Sequence, residues 1–141
     1  MKVVVNRCFG GFGLSDKAIE MIMKRKGLNC FRYKQTKYNF RDGVEEYTKC
    51  NSFEDDIIGD YYLTKDLGEK IDKIPNEYFW YYGSKLERID SDLIAVIEEI
   101  GEKEASGRFA KLEVVEIPDD VNWEIDNYDG IETIHEIHRS W

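Results

Sequence analysis

The stretch from Asn6 to Asp16, NRCFGGFGLSD, sets Gly10, Gly11 and Gly13 beside Arg7, directly after three valines and before a run with helical spacing. Backbone amides freed by such glycines can point at an anion where a helix begins, and Arg7 adds a positive charge. The spacing is G-G-x-G-x-S, neither G-x-G-x-x-G nor the P-loop pattern. The simpler reading is a tight strand-to-helix turn in which Phe9 and Phe12 plug the core. A second stretch, YFWYYG at residues 78–83, places five aromatics in succession, more than one strand face can bury. The outward rings either stack on a planar ligand such as a base or form a subunit interface. A third, SGRFAKL at residues 106–112, puts Arg108 and its neighbour Phe109 in a glycine-containing turn ahead of a strand. There a guanidinium either takes a phosphate bidentately or pairs with one of the many surface acids. The two histidines, His135 and His138 in HEIHRSW, could share a metal as an i, i+3 pair on a helix. With no cysteine or further histidine close in sequence, no metal site is expected.

Signals for catalysis are poor. Nucleophile-elbow and Walker patterns are absent, and with 29 Asp and Glu residues any carboxylate pair could be offered as acid and base. Such abundance removes their information, and a run such as EEIGEKE reads as a solvated helix end. These residues single out no catalytic group and no cofactor.

The elements that must position these groups are legible in part. KVVVN, Lys2 to Asn6, is β-branched and bounded by the glycine loop, as a buried strand is. From Ser15, the apolar positions Ala18, Ile19, Ile22 and Met23 follow helical spacing, with Ser15 as cap, Gly27 as stop and Lys24, Arg25 and Lys26 near the C-terminal dipole. Residues 30–50 predict two strands around an Asp42-Gly43 turn. Residues 51–77 read mostly as loop with one short strand near Asp60 to Leu63. A second helix starts at a Ser91 cap, carries Leu93, Ile94, Ile97 and Ile100, and ends at Gly101. A strand from about Lys111 to Ile117 stops at Pro118. The last stretch predicts a strand, an Asp-Gly turn and a final strand or short helix. The fold class is α/β in the α+β sense: a mixed β-sheet with two main helices, in a single compact domain over residues 1–141.

Composition bounds the partners. At 141 residues, with 42% hydrophobic, 13% aromatic and 35% charged side chains, the chain is long enough for a core that buries about two-thirds of its unfolded surface. A net charge of −9 repels nucleic-acid backbone and anionic membrane, so neither duplex nucleic acid nor a membrane is an expected partner. A small anion is compatible with an acidic body where arginines converge locally. Cys8, Cys30 and Cys50 are an odd count without C-x-x-C, the opening MKVVVNRC lacks a signal peptide's apolar stretch, and no window approaches a membrane span. Reduced thiols inside a cell are the expectation.

Taken together, KVVVNRCFGGFGLSD, SDLIAVIEEIGEKEASGRFAKLEVVEIPDD and WEIDNYDGIETIHEIHRSW resemble a family of small phage proteins, the first-described type of Thoeris anti-defence protein. The resemblance covers residues 1–27 and 90–141; the middle, 28–77, is not matched. It implies a sponge that binds cyclic ADP-ribose isomers made by TIR-domain enzymes in the host cytoplasm and keeps them from the defence effector without cleaving them. It implies a homodimer or higher homo-oligomer, and in some members separate sites for cyclic oligonucleotides. Carried over residue by residue, Arg108 beside Phe109 would bind phosphate, Tyr81 or Tyr82 would stack on adenine, and Ser91 or Asp92 would hydrogen-bond the sugar or base. The glycine loop, through Arg7 or its amides, would be a further contact. The tyrosine-rich platform and the acidic residue at the helix start depart from the family's pattern. An acidic phage inhibitor of a host protein such as a nuclease, or an enzyme degrading the same signal, are the alternatives.

Overall fold

Val3, Val4 and Val5 are wholly buried, so the first strand has no solvent face, and full burial of each valine contributes about 1.5–3 kcal/mol. This strand, β1 (Lys2–Asn6), runs antiparallel to β6 (Leu112–Glu116), with Val4 opposite Val114 and Asn6 opposite Leu112. The computed structural model describes residues 1–39, 41–50 and 60–137. It is mixed α/β, with two ten-residue helices, α1 (Asp16–Arg25) and α3 (Ser91–Ile100), two single-turn helices, α2 (Tyr82–Lys85) and α4 (Glu102–Ala105), and strands that all pair antiparallel among the described residues. The chain divides into two compact units, Met1–Ile22 with Leu86–Trp141, and Met23–Lys85.

In the first unit, Ser15 caps α1 as expected: its Oγ accepts from the Ala18 N–H at 3.2 Å and its carbonyl from the Ile19 N–H at 3.0 Å. Ala18, Ile19 and Ile22 are the buried stripe of that helix. The cap of α3 differs from expectation. Asp90, not Ser91, holds the helix start, its Oδ1 accepting from the Asp92 and Leu93 N–H groups at 2.9 and 3.0 Å, and Ser91 is the first helical residue. A carboxylate there satisfies two orphan donors and complements the positive helix end, which a serine hydroxyl does less well. Leu93, Val96 and Ile97 are the buried residues of α3, and Gly101 ends it. A hairpin of β7 (Trp123–Tyr128) and β8 (Ile131–Glu136) completes the unit, so the final element is a strand.

A polar network ties these pieces. Asn6 is fully buried with every side-chain atom engaged: Nδ2 donates to the carbonyls of Cys8 at 2.6 Å and Gly130 at 2.7 Å, and Oδ1 accepts from the N–H groups of Lys111 at 2.9 Å and Cys8 at 3.3 Å. Its backbone N–H donates to Glu132 Oε1 at 2.8 Å. Glu132, itself buried, receives the Arg88 guanidinium on both oxygens, from Nη1 on Oε1 and from Nη2 on Oε2 at 2.8 Å. Arg88 also donates to the Val4 carbonyl at 3.3 Å and lies over the Phe12 ring, 3.7 Å from its centroid.

The second unit begins with the last turn of α1, which closes as a Schellman motif. The Leu28 N–H donates to the Met23 carbonyl at 2.9 Å and the Gly27 N–H to Lys24 at 3.0 Å, with Gly27 at φ +76°, where a side chain would strain. A four-stranded sheet follows in the order β4-β2-β3-β5, built from β2 (Phe31–Asn39), β3 (Val44–Lys49), β4 (Asp60–Leu63) and β5 (Lys70–Ile71). The Asp42-Gly43 turn and the strand at Asp60 are where the sequence places them; residues 51–59 of the expected loop lie outside the described residues, and β5 was not expected. Tyr33, Tyr47 and Leu63 form the core, packed by Phe31, Tyr61, Leu67, Ile71, Ile74, Tyr78 and Phe79. The buried Tyr33 hydroxyl donates to the Gly68 carbonyl at 2.8 Å and accepts from the Leu67 N–H at 3.0 Å. Burial, and then the Glu45 carboxylate at 2.8 Å, push the Tyr47 phenol well above its ordinary range.

Two outcomes follow. Glu132→Ala leaves Arg88 and the Asn6 amide without their acceptor and is expected to cost about 3–5 kcal/mol, read as a lowered urea midpoint; an unchanged midpoint would mean that solvent replaces Glu132 at no cost. In the second unit, Lys49 Nζ at 2.7 Å and the Gly68 N–H at 2.9 Å hold the Asp66 carboxyl below its ordinary value. A carboxylate with a lowered folded pKa contributes stability above its unfolded pKa and loses it as pH falls through the folded value. Acidification below the ordinary carboxylate range therefore weakens this tie. Lys49→Met is expected to raise the Asp66 pKa, followed by its carboxyl-carbon shift in an NMR titration.

Candidate functional site

Three backbone segments of the first unit meet at van der Waals distance beside the end of β1, and glycine is what lets them. A Cβ on Gly10 would stand 2.0 Å from the Phe109 carbonyl oxygen, and one on Gly130 would stand 2.3 Å from the Phe9 oxygen. The Gly107 N–H donates to the Gly13 carbonyl at 2.9 Å, and Leu14 bridges Ser106. The glycine loop, the Arg108 turn and the Asp129-Gly130 turn of the β7–β8 hairpin thus form one junction. Asn6 fastens it from inside through its bonds to Cys8, Lys111 and Gly130.

This junction carries exposed rings. Phe9 is 65% exposed, Phe109 68% and Tyr128 80%, so Phe9 does not plug the core, while Phe12 meets Arg88. The Arg108 guanidinium stands 5.5 Å from the centroid of the Phe109 ring, on an exposed turn closed by the Ala110 N–H to the Gly107 carbonyl at 3.1 Å. Among the described residues no carboxylate pairs with Arg108. Arg7 is differently placed: its Nε donates to Glu113 at 3.0 Å and its Nη1 to the Glu132 carbonyl at 2.8 Å, so two of its donors clasp β6 to β8. Ser91 and Asp92 lie in the first turn of α3, a separate stretch of the same unit.

Tyr81 and Tyr82 belong to the second unit. The run holding them is not a strand that alternates faces. The Trp80 N–H donates to the Tyr62 carbonyl at 2.8 Å, Phe79 bridges Leu63, and the chain then turns into α2 at Tyr82. Trp80 is buried, while Tyr81 is 50% exposed and belongs to a chain of rings that ends at Tyr82. Its ring lies nearly parallel to Phe79, at 15° and 6.2 Å, and 5.1 Å from Tyr82; Phe79 in turn meets Tyr61 at 5.8 Å and Tyr61 meets Tyr47 at 5.2 Å. A Cβ on Gly83 would fall 2.6 Å from the Tyr81 ring, so that glycine gives the ring its seat.

The junction of Arg7, Arg108 and Phe109 therefore lies in one unit, and the tyrosine platform in the other. His135 sits on β8 with its ring between Glu124 and Asp126, at 2.6 and 2.9 Å, and His138 lies outside the described residues. Sequence reasoning missed Asn6, Arg88 and Glu132, whose only signal was a polar residue closing a strand of buried valines. Neither a protein-family model, a curated protein sequence nor a solved structure matches the chain.

Gly10→Ala tests the junction. Its Cβ meets backbone, which cannot swing aside, so the Arg108 turn must shift. The expected result is a destabilisation of about 1–3 kcal/mol together with displaced amide resonances at Arg108 and Phe109 in an NMR correlation spectrum.

Proposed function

We propose that this protein binds a small phosphorylated molecule carrying a flat ring and holds it unchanged. The observation that carries this reading is Arg108. On a chain of net charge −9 its guanidinium stands exposed without a carboxylate partner among the described residues, beside a Phe109 ring that is also largely exposed. A guanidinium takes a phosphate through two parallel donors, and an aromatic face beside it suits a base or sugar ring. The turn that presents them is fixed by the contacts at Gly10 and Gly107. Such preorganisation lowers the ordering cost of binding.

Within that class, the resemblance to the Thoeris anti-defence family selects cyclic ADP-ribose isomers made by TIR-domain enzymes, which combine adenine, two riboses and a pyrophosphate. A sponge of this kind, acting in the host cytoplasm, needs no nucleophile and no metal. Its potency rests on affinity and abundance, a Kd near 1 nM corresponding to about −12 kcal/mol. Tyr81, half-exposed between Phe79 and Tyr82, supplies a second stacking surface, and assembly into a homo-oligomer would multiply both.

Protein purified beside an active TIR-domain enzyme, then heat-denatured, should release an intact cyclic ADP-ribose isomer detectable by mass spectrometry. A cleaved product would identify an enzyme instead, and an empty protein would remove the sponge reading. Arg108→Ala should melt at the same temperature as the parent while losing about 2–4 kcal/mol of affinity for that isomer in calorimetry. Unchanged affinity takes Arg108 out of the site.

A further inference from the structure

The β7–β8 hairpin gathers three donor groups on one face. Its register sets Glu124 opposite His135 and Asp126 opposite Thr133. Residues two apart on a strand share a face, so Glu124, Asp126 and His135 project together, while Ile125, Ile134 and the buried Glu132 belong to the other face. One ligand atom from each of the three lies within 4.8 Å of the others. The imidazole stands between the carboxylates, Nε2 at 2.6 Å from Glu124 Oε1 and Nδ1 at 2.9 Å from Asp126 Oδ2. The strands beneath are held in place by the turn, where the Gly130 N–H donates to Asn127 Oδ1 at 2.9 Å and Asn6 binds the Gly130 carbonyl at 2.7 Å.

We infer that this face is a binding site for a divalent cation of the zinc class, held by His135, Glu124 and Asp126. An imidazole with two carboxylates is a donor set that zinc and its first-row neighbours accept, three protein ligands leaving a position for water. Two carboxylates on one strand face repel each other, and a divalent cation relieves that repulsion on a chain already of net charge −9. As the cation enters, one ring nitrogen turns its lone pair to it, and any proton carried there leaves to solvent. The carboxylates swing by side-chain rotation alone, since Glu124 and Asp126 are 52% and 65% exposed. The i, i+3 arrangement with His138 is not needed.

Calorimetric titration of the full chain with zinc chloride in a non-chelating buffer should give one equivalent bound. His135→Ala, an exposed position whose loss leaves the fold intact, should weaken binding about tenfold or more. Glu124→Gln should weaken it as well, and His138→Ala should leave it unchanged. Cobalt serves as the optical probe: bands of nitrogen and oxygen ligation are expected, without thiolate charge transfer. No bound zinc into the millimolar range, equal affinity in His135→Ala, dependence on His138, or a thiolate band showing that Cys8, Cys30 or Cys50 is the ligand would each overturn the assignment.

Discussion

The first unit depends on a buried carboxylate. Glu132 sits on β8 with almost no exposure, and an ionised group there is costly unless each oxygen is met. Arg88 meets both, the Asn6 amide meets one, and the Glu132 backbone carbonyl takes Arg7. These partners come from two stretches of the chain, Asn6–Arg7 and Arg88, so satisfying one residue of the hairpin fixes the mutual placement of β1, the segment before α3, and the hairpin. Asn6 extends the same logic by one residue, converting the end of β1 into a fastening for the glycine loop and the turn at Gly130. Buried polar groups that are fully satisfied give a single arrangement where apolar packing alone would tolerate several.

The consequence reaches the exposed side. Rings as open as Phe9 and Phe109 stand on loops that lie backbone to backbone, and Tyr128 closes β7 beside the turn that joins them, so the contacts at Gly10 and Gly130 fix the backbone that presents all three. The second unit reaches rigidity by other means. There tyrosine hydroxyls do the tying, with Tyr33 joining β2 to the turn at Leu67 and Gly68, and a run of ring contacts, edge-on, tilted and stacked, continues from Tyr47 to Tyr82.

How much of this was legible follows from the range of each interaction. Local patterns spoke clearly: β1, the Ser15 cap, the Gly27 stop, the Asp42-Gly43 turn and the strand at Asp60 each rest on neighbours within a few residues. The Asp90 cap was misplaced by one position because Asp and Ser are both good caps and only geometry separates them. The Asn6, Arg88 and Glu132 network was invisible, since its members are separated by as many as 126 positions and nothing in their spacing announces a meeting. His135 shows the same limit. The sequence offers His138 as its companion, whereas strand pairing supplies Glu124 and Asp126 from the other side of a turn. Arg108 was singled out by its turn, but that no carboxylate among the described residues pairs with it is a property of three dimensions.

The first unit is interrupted in sequence, its opening segment ending at Ile22 and resuming at Leu86. A ribosome therefore makes β1 long before β6, its ladder partner among the described residues. The intervening segment from Met23 to Lys85 is continuous and contains its own pairing partners, so it is free to fold as it emerges. Birth order and pairing order thus differ: β1 is made before the whole of the inner unit and meets its ladder partner only after that unit is complete.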